Sequence, residues 1–429
     1  MTDRKTIKQT FRSSIRRGTG EAHLIMQNNP TVDFSADIIK ASLINYAYDG
    51  QSENSRALYL SELISLSKQR DKIRKAVLHG LATEQDNTWT LTQLFDLAKI
   101  FAQSGDTESR QAIYDRFFNH PVDHSDWVGY SEILELDGLE GLVFIADKIG
   151  KALEKNPDDW QDDMIIDHFQ RENPKVKAFA ELEKASKQNR FIKIYLDNIK
   201  RTEENRKNHI REKVEYKNII EEVLLCKPYI RLWKRKITDK QLTAIANQLL
   251  IEKNKNNQEK LLYVFNKFKF PFDSEFILQF AKQKPTSKNR IVEFAIDALQ
   301  YLQSKEIRQF ALEQLKTTKR PESLTSILIS NYQNGDSKLL TELAEKFNQD
   351  YIIENLASSY IDIYKANKTT ECKEPLEAIY DKLTCGIHRK GIIEVLMDNK
   401  VLSNKIRQEI KYDSYFETRQ LLNRKKNGR

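Results

Sequence analysis

Apolar side chains recur along this chain at three- and four-residue intervals, in pairs of segments separated by short polar turns. The stretch PESLTSILISNYQNGDSKLLTELAEKF shows the pattern most fully. Pro321 suits the first turn of a helix, where its missing N–H is no loss. Leu324, Ile327 and Leu328 form one apolar stripe. Gly335 suits the left-handed position that ends a helix, and Asp336 is placed to cap the next one. Leu339, Leu340, Leu343, Ala344 and Phe347 make the second stripe. The spacing predicts a helix, a tight turn and a second, antiparallel helix.

The same arrangement occurs in TWTLTQLFDLAKIFAQSGDTESRQAIYDRFF. Thr90 is the predicted N-cap, and Leu91, Leu94, Phe95, Ala98 and Phe101 form the stripe. Gly105-Asp106 makes the turn, and Ile113, Tyr114 and Phe117 continue on the second helix. A looser hairpin turns at Asp49-Gly50 and then carries Leu58, Leu63 and Leu66; another turns at Thr384 to Gly386. Sustained two-residue alternation bounded by hairpin turns is nearly absent. The predicted fold class is all-α, an α-solenoid of irregular antiparallel helix pairs.

A short phrase, x-x-Arg-Gln, recurs as ESRQAI from Glu108, EIRQFA from Glu306, KIRQEI from Lys405 and ETRQLL from Glu417. Each copy has an apolar or small residue three positions after its arginine: Ile113, Ala311, Ile410 and Leu422. Arg110, Arg308, Arg407 and Arg419 are therefore expected at the edge of a buried stripe. There the stem packs and the guanidinium reaches a neighbouring helix pair. With SKEIRQFALEQL, DSYFETRQLL and GDTESRQAIYDRF, the chain resembles the HEAT-repeat superfamily of α-solenoids. Asp106, Asp336 and Asp413 match that family's turn aspartate, and the four arginines match its helix arginine. The intervals are irregular, the family's proline is often missing, and Lys405 stands once where an acid is expected. The resemblance implies scaffolding or recognition along a concave surface. A minority branch of HEAT-like proteins excises alkylated DNA bases, but no catalytic signature of that branch is matched.

Composition agrees with an elongated array. The chain has 429 residues, 39% hydrophobic and 31% charged, with only 13 glycines. That is a thin supply for one large core and for the glycine-rich phosphate loops of nucleotide-binding folds. The organisation expected is a basic N-terminal arm (1–20), a helical array (21–199), a charged helical linker (200–218), a second array (219–422) and a basic tail (423–429). Three cysteines, Cys226, Cys372 and Cys385, fit a reducing compartment without a disulfide framework. The first twenty residues lack the apolar segment of a signal peptide, and apolar runs such as LVFIA fall far short of a membrane span. A cytoplasmic protein with no membrane contact is expected.

The net charge of +8 is uneven. Residues 184–240 carry 17 basic and 8 acidic side chains, whereas residues 131–172 carry 12 acidic and 4 basic. Within the basic region, KPYIRLWKRKITDKQL sets Lys227, Arg231, Lys234, Arg235 and Lys236 around Tyr229 and Trp233. Basic side chains neutralise phosphates and aromatic rings stack on bases, while Ile230, Trp233 and Ile237 also have the spacing of a core stripe. This stretch, Trp233 included, is the candidate contact for an anionic partner. Other clusters read as structural. His120, Asp123 and His124 are interrupted by Pro121. Cys385 and His388 form C-x-x-H with Cys372 upstream, but no fourth zinc ligand is evident in the sequence. Asp158, Asp159, Asp162, Asp163 and Asp167 surround Trp160 near a helix start, where carboxylates cap. No catalytic residue, cofactor or metal is assigned. The functional expectation is a non-enzymatic scaffold that binds a macromolecule, foremost a protein. The alternatives are a nucleic-acid-binding solenoid using residues 184–240, or a HEAT-like DNA-repair enzyme.

Overall fold

Local signals in the sequence set where the helices begin. Asn87 accepts the Thr90 amide at 2.8 Å and starts the helix Thr88–Gln103. Asp106 accepts the Glu108 amide and the Ser109 hydroxyl and starts Thr107–Phe118. Ser304 caps Lys305–Thr317, and Thr238 with Gln241 forms a reciprocal capping box on Asp239–Ile251. Between the members of two hairpins, Gly105 and Gly335 adopt φ of 96° and 95°. That left-handed region is open to glycine at little steric cost.

The computed structural model describes residues 4–119, 127–208, 215–225 and 236–424. Among them every regular element is a helix, and extended pairing is limited to one bridge between Thr286 and Asn289. The protein is all-α. No described helix is long and apolar enough to cross a membrane. The chain forms two compact units, Met1–Glu212 with Tyr412–Phe416, and Lys213–Lys411 with Glu417–Arg429.

In the first unit, Leu91, Leu94, Phe95 and Ala98 enter the core together with Ile113 and Phe117 from the next helix. Each such leucine, isoleucine or phenylalanine contributes about 1.5–3 kcal/mol on burial. The helix Tyr130–Lys155, kinked at Gly138, packs along Arg190–Asn208 as the most extensive helix pair of the unit. Gly150 lies at that crossing, and a Cβ there would overlap the Phe191 carbonyl. The unit also incorporates residues 412–416: the Ser414 amide donates to the Gly18 carbonyl at 2.8 Å, and Tyr412 stacks on His23 at 3.9 Å.

In the second unit, Asp336–Lys346 packs on Lys373–Tyr380, and Asp350–Ala366 packs on Gly386–Asp398. Ile352, Ile353, Leu356, Ala357 and Tyr360 meet Ile392, Ile393 and Leu396 in one core.

Several expectations change in detail. Within the basic N-terminal arm, residues Arg4–Arg17 form a helix with Phe11 and Ile15 buried. The cap at the Thr90 helix is Asn87, one turn earlier. Asp336 is the first helical residue rather than the cap, and its carboxylate accepts the Gln333 amide at 2.9 Å instead. The single helix expected from Pro321 is broken at Ile327 into Glu322–Ser326 and Leu328–Asn331. Leu58 and Leu66 are 53% and 40% exposed, and the stripe of Ala57–Leu66 is instead Ala57, Tyr59, Leu60, Leu63 and Ile64. Part of the expected linker 200–218 continues the helix Arg190–Asn208. The expected tail at 425–429 lies outside the described residues.

Candidate functional site

Most of the sequence candidate for anion binding, Lys227, Arg231, Trp233, Lys234 and Arg235, lies outside the described residues. So do Tyr229, Cys226, His120, Asp123 and His124. Lys236 is exposed, two residues before the cap Thr238.

The recurring arginines occupy different settings. Arg308 forms a bidentate pair with Asp336, at 2.5 and 2.7 Å, and donates to the Asn331 carbonyl at 3.0 Å. It thereby ties Lys305–Thr317 to the turn of the following hairpin. Arg110 pairs with Asp137 on the next helix. Arg74 makes the corresponding contact one hairpin earlier, bridging Asp106 at 2.9 Å and Glu108 at 2.8 Å. Arg407 is exposed and Arg419 is half-buried.

The aspartates around Trp160 do not converge. Asp158, Asp159 and Asp167 are exposed, and the helix begins only at Met164, whose amide donates to Asp162. Trp160 is 63% exposed; Arg206 lies 5.7 Å from its ring and pairs with Asp162. Trp127 is buried and donates to Gln161 at 3.1 Å.

A groove of about 390 Å³ in the first unit is lined by Phe118, Lys148, Lys151, Lys155 and Phe191 among others. The three lysines fall on one face of Tyr130–Lys155. The Lys148 ammonium sits 4.1 Å from the Phe118 ring centroid, and Lys151 sits 5.0 Å from that of Phe191. Burial, reinforced by the charge of Lys151, lowers the pKa of Lys148, against the pull of Asp147. The Asp147 carboxylate holds Lys151 at 2.8 Å, whereas Lys155 is exposed at the end of the row.

The second unit contains a cluster that periodicity gave no means to find. Glu354 is 2% exposed in the middle of Asp350–Ala366. One of its oxygens accepts the Thr384 amide, the Thr384 hydroxyl and the Cys385 amide at 2.9–3.1 Å. Glu354 thus caps the start of Gly386–Asp398, where the helix dipole favours negative charge. The other oxygen faces His388 Nδ1 at 2.8 Å, and His388 Nε2 meets the Ser358 hydroxyl at 2.8 Å. Arg389, fully buried, donates to the Thr384 carbonyl at 3.0 Å and fixes the turn from the other side. Burial opposes charge on His388, but hydrogen bonds to Cys385 and Glu354 outweigh it and push its pKa up to about 9. The hydrogen bond from His388 and those from the Cys385 and Thr384 amides overcome the burial of Glu354 and lower its pKa.

Hydroxyl, imidazole and carboxylate therefore lie in the order of a hydrolytic triad. However, Ser358 sits mid-helix, where backbone N–H groups are committed to the i−4 carbonyls, so its own element offers no oxyanion-binding amides. A protonated His388 is also the wrong state for a general base. Among the described residues, Glu354, Cys385 and His388 are the only group of three or more potential metal ligands that converge, with donor atoms all within 4.8 Å of one another. The C-x-x-H pair was visible in the sequence. Glu354, some thirty residues upstream, showed only as a carboxylate inside an otherwise buried helical stretch.

No protein-family model matches the chain, and no curated protein matches it with significance.

Proposed function

We propose that the protein is a non-catalytic helical-repeat protein, of the HEAT-like kind, that binds an acidic segment of a protein partner. The observation that carries this reading is the groove of the first unit, where Lys148, Lys151 and Lys155 line up between the exposed ring of Phe118 and the half-buried ring of Phe191. Such a surface pairs with carboxylates and offers rings to apolar or aromatic side chains between them. Supporting the repeat architecture are the Gly-Asp turns and the Arg–Asp pairs that tie one hairpin to the next, Arg74 to Asp106 and Arg308 to Asp336.

The basic stretch 227–236 favours a second reading, contact with single-stranded nucleic acid. Fluorescence anisotropy separates the two, using a labelled Glu/Asp-rich peptide containing Phe and Leu and a labelled oligothymidylate, each at two salt concentrations. The protein reading expects peptide binding that weakens with salt and drops about tenfold in Lys148→Glu/Lys155→Glu, a loss of about 1.4 kcal/mol. Absence of peptide binding at low salt overturns it. Oligonucleotide binding that survives that double substitution but is lost in Lys234→Glu/Arg235→Glu establishes the second reading instead.

A further inference from the structure

We propose that Cys385, His388 and Glu354 form a binding site for a divalent transition-metal ion of the zinc class, with three protein ligands and an open fourth position. The site belongs to the second unit and is independent of the groove in the first.

The donor set is one thiolate, one imidazole nitrogen and one carboxylate oxygen. With zinc bond lengths of about 2.0–2.3 Å, a tetrahedral ion needs its donors about 3.3–3.7 Å apart. The three donors already lie within 4.8 Å of one another, so closure needs only small side-chain adjustments. Cys385 is the N-cap residue of Gly386–Asp398 and His388 lies in its first turn, while Glu354 comes from the helix packed against it. The ligands are thus carried by rigid elements. The soft thiolate favours zinc-class ions over magnesium or calcium. Thiolate and carboxylate together balance the charge of a divalent ion, which takes the place of the imidazole proton.

What raises this cluster above a chance grouping is the shell around it. Metal-ligating histidines donate their other ring N–H to a fixed acceptor, and ligating carboxylates are themselves hydrogen-bonded. Here His388 Nε2 is held by Ser358 at 2.8 Å, which leaves Nδ1 for the ion. Glu354 has one oxygen held by Thr384 and the Cys385 amide, which leaves the other oxygen for the ion. Cys385 is the N-cap residue of Gly386–Asp398, so its side chain is fixed at the start of that helix beside His388. His388 keeps a quarter of its side chain exposed, so an ion and a fourth ligand from solvent can reach the site.

The test is a cobalt(II) titration of the full-length, chelator-treated protein, followed by absorption. A thiolate-to-cobalt charge-transfer band with d–d bands of tetrahedral intensity, saturating at one ion per chain, is the expected result. The bands should vanish in Cys385→Ser, with folding checked by circular dichroism, and persist in Cys226→Ala/Cys372→Ala. Ser358→Ala should retain the bands but weaken affinity about 10–100-fold, as loss of an outer-shell partner does. X-ray absorption of the zinc-loaded wild type needs no variant and should show one sulfur at about 2.3 Å among nitrogen and oxygen neighbours. No thiolate band, a band that survives Cys385→Ser, or a sulfur-free zinc shell overturns the proposal.

Discussion

Glu132 is expected to make the first unit less stable as pH rises through neutrality, and replacing it with glutamine should remove that loss. The residue sits in the first turn of Tyr130–Lys155, only 4% exposed. Burial, then the nearby Asp96 charge, push its pKa from 4.5 up to about 7, against the smaller pull of Lys99 and the Ser131 hydroxyl. Lys99 cannot offset more because it is shared, holding Asp96 at 3.2 Å and Glu135 at 2.9 Å. Because the folded-state pKa is raised for an acid, the folded protein holds its proton where the unfolded chain has lost it. Below about pH 4.5 both states are protonated and Glu132 has no effect. Between about 4.5 and 7 stability falls by about 1.4 kcal/mol per pH unit, and above 7 the loss is complete. The rise from 4.5 to about 7 corresponds to about 3 kcal/mol.

Glutamine keeps the shape and can still accept from Ser131, but it never ionises. Glu132→Gln should therefore lie within about 1 kcal/mol of wild type near pH 5 and exceed it at pH 8 by about 3 kcal/mol. Urea unfolding followed by tryptophan emission reports on this unit, because Trp127 is buried in its core and Trp89 and Trp160 also belong to it. Parallel pH profiles for wild type and variant between pH 5 and 8, or a wild type that gains on the variant, would refute the reasoning.

Other predictions follow from close contacts. Gly150→Ala must push apart the helices Tyr130–Lys155 and Arg190–Asn208, since the added methyl meets backbone rather than a side chain able to turn away; a loss of about 1–3 kcal/mol is expected by the same assay. Asp336→Ala removes both oxygens from Arg308 and an acceptor from the Gln333 amide, for a loss of about 2–4 kcal/mol in urea unfolding followed by circular dichroism. Arg308→Lys should recover little of a bidentate pair, and the double variant Arg308→Ala/Asp336→Ala should cost less than the sum of its singles.

What could be read from the sequence depended on how far apart the cooperating residues lie. Leu94, Phe95 and Ala98 show themselves as a stripe because a helix repeats every few residues, and Gly105-Asp106 shows itself because the turn is made by neighbours. The position of the cap is less legible for a related reason: Asn87 and Thr90 are both good capping residues, and only backbone geometry decides which carboxamide or hydroxyl accepts the N–H. The Leu58 and Leu66 assignments failed because one hairpin offers several apolar positions, and the partner helix selects the buried set. Glu132 reads in sequence as an ordinary first-turn acid; its burial against Asp96 comes from packing on a helix some thirty residues earlier. The same distance hides Glu354. In the sequence, Cys385 and His388 stand without a nearby further ligand, because the carboxylate that joins them lies some thirty residues upstream. Once Asp350–Ala366 packs on Gly386–Asp398, the missing carboxylate arrives already oriented by Thr384, and the imidazole by Ser358. An unfavourable choice for a helix interior, a buried charge, thereby becomes intelligible: Glu354 stays ionised because the next helix supplies amides to one oxygen and a cationic partner to the other. Whether that partner is a proton or a metal ion on His388 is what the cobalt titration decides.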